Sequence, residues 1–246
     1  MWVIAHRGAS GVAPENTLAA FRRAAEIGAG FIETDLHLSR DARLVALHDD
    51  TLDRTTNARG PVGARTLDEL RKLDAGAWFQ GKPPDGVAGE FAGERIPTIE
   101  EVLAFGRERD LGLYLEIKAP GASGAEHAVV GAVRAANEVG RTVVLSFDPG
   151  VIERVRKYEP LLMTGLLFSE RMPDAVKRAV GVGARQLLPR ADRVTPELLA
   201  EAHGSDLKVV AWTVNDPSQM KRLISEGIDG IITNYPEELI ELLKSG

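Results

Sequence analysis

A short apolar run followed by a segment of helical pattern recurs about eight times along the 246 residues, and this alternation constrains the fold more than any single motif. The extended runs are residues 2–5, 31–35, 113–118, 142–147, 162–168, 185–188, 207–213 and 228–233. Runs of this length and composition read as buried strands. Helices are expected between them. The first follows Pro14-Glu15-Asn16-Thr17, with Leu18, Phe21, Ala25 and Ile27 as its apolar face and Gly28 and Gly30 as its stop. Others are expected over 98–109, about 124–139 and 149–158, from near Pro173, and after Thr195-Pro196, Asp216-Pro217 and Tyr235-Pro236. Pro just inside a helix start and Gly just past its end suit the backbone needs of the two termini. Strand and helix in alternation specify a parallel sheet. A (β/α)8 barrel of the TIM type is favoured over a doubly wound sheet for two reasons: no Gly-x-Gly-x-x-Gly fingerprint or phosphate loop follows the first strand, and polar residues mark strand ends all along the chain.

The alternation lapses between residues 51 and 97, where Gly- and Pro-rich sequence carries one short helical stretch, residues 67–70, and an aromatic pair, Trp78-Phe79. A loop this long inside a compact domain is usually functional. It is read as a small insertion lying over the end of a single barrel domain spanning 1–246. Just before it, residues 43–49 form another extended piece, ending on His48.

Composition excludes several partners. The net charge is -6 and no basic block is present, which argues against nucleic acid. No run approaches the roughly 18 apolar residues of a membrane span, so no stable membrane insertion is expected. Met1 leads straight into a strand with no room for a leader, and the expected location is cytoplasmic. Zero cysteines exclude disulfides and thiolate metal sites. Any metal must then be held by carboxylate, His or carbonyl oxygen. The oligomeric state is not specified.

The polar residues expected at strand ends are His6, Arg7, Glu33, Asp35, His48, Glu116, Lys118, Ser146, Trp212 and Asn234. Glu33 and Asp35 are two apart on one strand, as are Glu116 and Lys118 on another, so each pair shares a sheet face. Three carboxylates converging from two strands repel one another unless a cation neutralises them, and an all-oxygen set suits Mg²⁺ or Ca²⁺. Two histidines can serve as acid and base on opposite sides of a reacting centre. Arg7 and Lys118 would stabilise charge on equatorial oxygens. The sum is transfer or hydrolysis at a phosphoryl group. Blander readings stand beside this one. Glu33 and Asp35 can be half of a solvated strand face, and Lys118 can form a structural ion pair with Glu116. Ser146 and Trp212 can be core packing or pocket wall. His37 continues the parity of Asp35, but Ser39-Arg40-Asp41 suggests a turn, so surface placement is favoured over ligation, with an additional contact from His37 as the alternative; His127 and His203 are placed at the surface.

These residues resemble the glycerophosphodiester phosphodiesterase family. The resemblance rests on His6-Arg7-Gly8, Pro14-Glu15-Asn16-Thr17, Glu33-Thr34-Asp35, His48-Asp49 with Thr51-Leu52-Asp53-Arg54-Thr55-Thr56, and Glu116-Ile117-Lys118. Segments Gly76 to Phe79, Ser146-Phe147 and Trp212-Thr213-Val214-Asn215 are also similar to the family, and the match runs over nearly the whole chain. It implies a phosphoric diester hydrolase with a divalent cation, Mg²⁺ or Ca²⁺ with Mn²⁺ a further option, on Glu33, Asp35 and Glu116. It implies His6 and His48 as the acid–base pair, Arg7 and Lys118 on the phosphate, and Trp212 at the substrate. Products would be sn-glycerol 3-phosphate and an alcohol such as choline or ethanolamine. The alternatives are a lysophospholipase D or phosphoinositide-type phospholipase, for which Trp78, Phe79, Val87 and Phe91 would supply an apolar landing surface, and a barrel that binds a phosphorylated metabolite without cleaving it.

Overall fold

The computed structural model describes residues 1–80, 91–118 and 124–245. Its first half runs β1 (Trp2–His6), α1 (Leu18–Ile27), β2 (Phe31–Leu38), β3 (Leu44–Ala46), α2 (Leu67–Leu70), α3 (Ile99–Glu108), β4 (Gly112–Ile117) and α4 (Ala125–Ala135). The second half continues β5 (Thr142–Ser146), α5 (Pro149–Tyr158), β6 (Met163–Phe168), α6 (Ala175–Gly181), β7 (Gln186–Pro189), α7 (Pro196–Gly204), β8 (Lys208–Ala211), α8 (Pro217–Ser225), β9 (Gly230–Thr233) and α9 (Pro236–Ser245). The parallel strands are ordered β1-β9-β8-β7-β6-β5-β4-β2, and the additional pairing of β1 with β2 closes the ring. This is the eight-stranded parallel barrel with helices that the alternation demands.

β3 lies outside the ring. It pairs antiparallel to the far end of β2, Leu36 against Ala46 and Leu38 against Leu44. The extended piece ending at His48 is therefore a short flap on β2, which carries His48 back towards the mouth: Leu47 donates its N–H to the Asp35 carbonyl at 3.0 Å.

Local chemistry accounts for the helix starts. Thr17 caps α1, its hydroxyl accepting from Ala20 N, and Gly28 closes it in the left-handed conformation. Asp148, Thr195 and Asp216 cap α5, α7 and α8, each with Pro in the first turn. Thr98 and Glu101 form a reciprocal capping box on α3. Two expectations need correction. The helix after residue 124 ends at Ala135, and the chain then makes a separate 3-10 turn at Val139–Arg141. In α1 the fully buried residues are Ala19, Ala20, Phe21 and Ala24, while Leu18, Ala25 and Ile27 are half-buried. Phe21 fills the contact with the barrel, and three alanines around it let the helix backbone come close.

Period-two alternation along the strands divides the core. Ile4, Tyr114, Val143, Leu145, Leu167, Leu188, Val210 and Ile232 fill the barrel interior. Their neighbours Val3, Ala5, Ile32, Leu113, Leu115 and Val144 pack outward with the helices. The segment between β3 and α3 has an apolar cluster of its own, including Leu52, Val62, Leu70, Ala75 and Ile96, shared with Val45 and Leu47. Among the described residues no helix is long and apolar enough to cross a membrane.

Candidate active site

The interior parity that buries Ile4 and Tyr114 continues, towards the carboxyl ends of the strands, into polar side chains. His6 follows Ile4, Glu116 follows Tyr114, and Glu33 and Asp35 follow Phe31 along β2. Register then sets who meets whom: His6 pairs with Glu33 across β1 and β2, and Asp35 with Glu116 across β2 and β4. Ligand oxygens of Glu33, Asp35 and Glu116 lie within 4.8 Å of one another, all three residues buried. Burial, then Asp35 and Glu116, push the Glu33 carboxyl well above the usual range. Burial and then Asp35 push Glu116 up to about 7. Burial acts on Asp35 in the same direction, but Arg7 and Lys118 outweigh it and hold Asp35 below the ordinary carboxylate range. Lys118 Nζ sits 3.1 Å from Asp35 Oδ1 and 2.9 Å from Glu116 Oε1. Apart from this ion pair, Asp35 Oδ1 is buried without a hydrogen-bond partner among the described residues.

Arg7 reaches this cluster through a backbone device. Its φ of 56° is left-handed, which sets the side-chain direction relative to the preceding peptide, whose N–H donates to Glu33 Oε2 at 3.0 Å. Gly8 follows at φ 82°, and a Cβ there would lie 2.6 Å from Ala20. Only Gly allows so close an approach to α1. The Arg7 guanidinium places Nε 3.1 Å from Asp35 Oδ2 and donates from Nη1 to Glu15 Oε1 at 2.7 Å. His6 Nδ1 is 2.7 Å from Asn234 Oδ1, an oxygen that can only accept, so Nδ1 carries the proton and Nε2 keeps its lone pair. Burial and the Arg7 charge push this imidazole down to about 4.

His48 arrives on the flap. Its Nδ1 donates to Asp49 Oδ1 at 2.7 Å, and burial lowers its proton affinity, against the pull of Asp35. Beneath it, His37 Nε2 donates to the His48 carbonyl at 3.0 Å. His37 is therefore buried, contrary to the surface placement expected for it. The turn predicted from Ser39-Arg40-Asp41 does form, but the chain returning as β3 pairs His37 with Val45 and covers the ring.

Trp212 donates from its indole to the Leu188 carbonyl at 2.8 Å and stacks edge-to-face on Phe147 at 5.4 Å. With His6, Glu33, Glu116 and Leu145 it lines a small cleft at the mouth. Ser146 has the opposite parity and stays off the mouth, its hydroxyl accepting from Asp148 N at 3.1 Å. His127 and His203 are exposed, as expected. The structure thus gathers His6, Arg7, Glu33, Asp35, Glu116, Lys118 and Trp212 around one mouth. It adds residues to which the motifs attached no role. Asn16 donates to Asp35 Oδ2 at 2.9 Å, and Arg54 grips both Glu15 and Asp49. Each lies within a quoted motif, which was the available signal; loops have no period from which to read side-chain direction.

A family model described as the glycerophosphoryl diester phosphodiesterase family matches residues 6–238. The chain belongs to that family. Its enzyme class is accordingly phosphoric diester hydrolase. Among curated proteins it is 41% identical to a glycerophosphodiester phosphodiesterase of Caldanaerobacter subterraneus, over 99% of this chain and 98% of that one. It is 33% identical to a glycerophosphodiester phosphodiesterase of Bacillus subtilis, covering 99% of this chain and 86% of the other. Among solved structures, an Oleispira antarctica phosphodiesterase in complex with the product sn-glycerol-3-phosphate superposes with a TM-score of 0.87 at 29% identity, over 99% of this chain and 97% of that one. A glycerophosphodiester phosphodiesterase from Agrobacterium tumefaciens gives 0.84 at 27%, over 98% and 99%. The donor set is compatible with the family: a buried all-oxygen triad is suited to a hard divalent cation.

Proposed function

We propose that the protein hydrolyses glycerophosphodiesters such as glycerophosphocholine or glycerophosphoethanolamine to sn-glycerol 3-phosphate and the free alcohol. The observation that carries this reading is the buried triad Glu33, Asp35 and Glu116 with His6, Arg7 and Lys118 at its edge. In it, the three carboxylates hold Mg²⁺ or Ca²⁺, with Mn²⁺ as a further option. When bound, the cation polarises a phosphoryl oxygen and offsets charge developing there. Charge balance favours a divalent ion, because among the described residues Glu15, Glu33, Asp35, Asp49 and Glu116 are paired with the three permanent cations Arg7, Arg54 and Lys118.

His6 is the base. Asn234 fixes its tautomer and leaves the Nε2 lone pair free to accept a proton from the nucleophile. His48 is the acid, since Asp49 beside Nδ1 stabilises the imidazolium that donates from Nε2 to the leaving oxygen. Arg7 and Lys118 contact the non-bridging oxygens, and Trp212 with Phe147 forms an apolar wall for the organic part of the substrate. The proton taken by His6 comes from water or from the glycerol hydroxyl beside the phosphate; hydrolysis of an analogue lacking that hydroxyl would identify water.

The segment 51–97 is read as an insertion over the mouth. Trp78, Phe79 and Phe91 in it are half-buried and pack edge-to-face on one another at 5.8 and 5.6 Å, which favours a small soluble diester over a lipid surface. Val87 lies outside the described residues. The deciding experiment incubates the protein with glycerophosphocholine and each of Mg²⁺, Ca²⁺ and Mn²⁺ and measures glycerol phosphate. Absence of release with every metal would overturn the reading. Faster turnover of lysophosphatidylcholine would transfer it to the lysophospholipase class, and binding without cleavage to a storage or sensing barrel.

A further inference from the structure

One guanidinium outside the barrel ring joins the two halves of the site. Arg54 lies in the loop after β3, and its side chain is 43% exposed, so it supports no core packing. It nevertheless makes four hydrogen bonds to two carboxylates. Nε donates to Asp49 Oδ2 at 2.8 Å, and Nη2 to Asp49 Oδ1 at 2.8 Å. Nη1 donates to Glu15 Oε2 at 2.7 Å, and Nη2 also to Glu15 Oε1 at 2.7 Å. The same oxygens serve the site. Asp49 Oδ1 accepts from His48 Nδ1 at 2.7 Å, and Glu15 Oε1 accepts from Arg7 Nη1 at 2.7 Å. An unbroken chain of charge-assisted contacts therefore runs Arg7, Glu15, Arg54, Asp49, His48.

We propose that Arg54 is a positioning residue: by clamping Asp49 and Glu15 in one fork it orients the His48 ring and the Arg7 guanidinium relative to each other across the barrel mouth. The proposal rests on the reading of His48 as proton donor and Arg7 as phosphate contact. Without the fork, two carboxylates of like charge would lose their shared cation and turn towards water. Asp49 follows His48 directly, so its departure frees the imidazole. The His48 backbone would stay, because His37 holds its carbonyl independently of Arg54. Loss of Arg54 should thus loosen a ring and a guanidinium while leaving the flap in place. Lys would substitute only in part, since an ammonium keeps the charge but lacks the planar fork that engages two carboxylates at once.

The test uses the full chain with Arg54→Ala and Arg54→Lys, and reads turnover of glycerophosphocholine together with the His48 tautomer from imidazole ¹⁵N resonances of the metal-free protein. In the wild type, at a pH where the ring is neutral, the Nδ1–H tautomer of His48 should dominate. In Arg54→Ala it should give way to a mixture, and kcat should fall about 10- to 100-fold, the scale seen for partners that orient reactive groups. Arg54→Lys should show the same shift to a smaller degree, and it carries the test if the alanine variant melts early. The double variant Asp49→Asn with Arg54→Ala should be no slower than Arg54→Ala alone, because Asp49 acts on the route that Arg54 maintains. An unchanged tautomer overturns the proposal whether or not the protein turns over substrate. So does kcat within twofold of an active wild type, or losses that multiply in the double variant. A wild type that releases no glycerol phosphate overturns the functional reading instead, and the tautomer measurement still decides the role of Arg54.

Discussion

Asp35 and Glu116 stand directly opposite each other in the parallel pairing of β2 and β4, both directed into the barrel mouth and both buried. Adjacent carboxylates taken out of water are costly unless cations answer them. Lys118 answers both, at 3.1 and 2.9 Å, and the remaining demand is what a divalent ion would meet. Replacing Asp35 by Asn removes an anionic ligand while keeping the shape. Affinity for Mg²⁺ or Ca²⁺, followed by titration calorimetry, should fall at least about tenfold, the order expected when a metal ligand set is damaged. Equal affinity in the variant would place the cation elsewhere.

Metal binding should release protons below neutral pH. Glu116 is pushed up to about 7 and Glu33 well above its ordinary range, so below about pH 7 the metal-free site holds protons that an ion must displace. The sign follows: affinity rises with pH up to about 7, by up to about tenfold per unit for each proton displaced. Calorimetry in two buffers of different ionisation enthalpy measures the released proton directly. Affinity that is flat from pH 5 to 7 would contradict a protonated Glu116.

His6→Ala and His48→Ala should each reduce kcat by about 10²- to 10⁴-fold, the range of general acid–base catalysis. Both rings are at the mouth and outside the apolar interior, so the far-UV circular dichroism should not change. Full turnover in either variant would remove that histidine from the acid–base pair.

Gly8→Ala tests the turn that delivers Arg7. A methyl at φ 82° and 2.6 Å from Ala20 must displace either the turn or α1. Urea unfolding should show a loss greater than about 1 kcal/mol, because the backbone conformation is unfavourable for Ala even before the clash. Turnover should fall as well, since Arg7 N–H leaves Glu33. A variant of native stability would mean that the β1–α1 turn yields at little cost.

Much of the site was legible because strand parity is local. Alternation alone placed Glu33 with Asp35 and Glu116 with Lys118, and the same rule sets His6 beyond Ile4. The rule misled at His37, where the parity holds but β3 folds back over the strand and buries the ring under His48. It had nothing to say about Arg7, whose direction comes from one left-handed residue. Nor did it reach Glu15, Asp49 or Arg54, which stood in recognisable motifs without a spatial assignment. A loop side chain takes its direction from what it meets, and Arg54 meets Glu15 across 39 residues of chain.

Local chemistry, written into the order of residues, thus settled the number of strands, the helix caps and the face on which each ionisable group lies. Those properties depend on neighbours a few residues away, so a linear pattern carries them. Which groups become partners depended on closure of the ring by β1 with β2 and β9, and on register that sets His6 beside Glu33 and Asp35 beside Glu116. Those contacts join segments distant in the chain, and the shifted proton affinities of Glu116 and His6 exist only once burial and opposing charge are brought together.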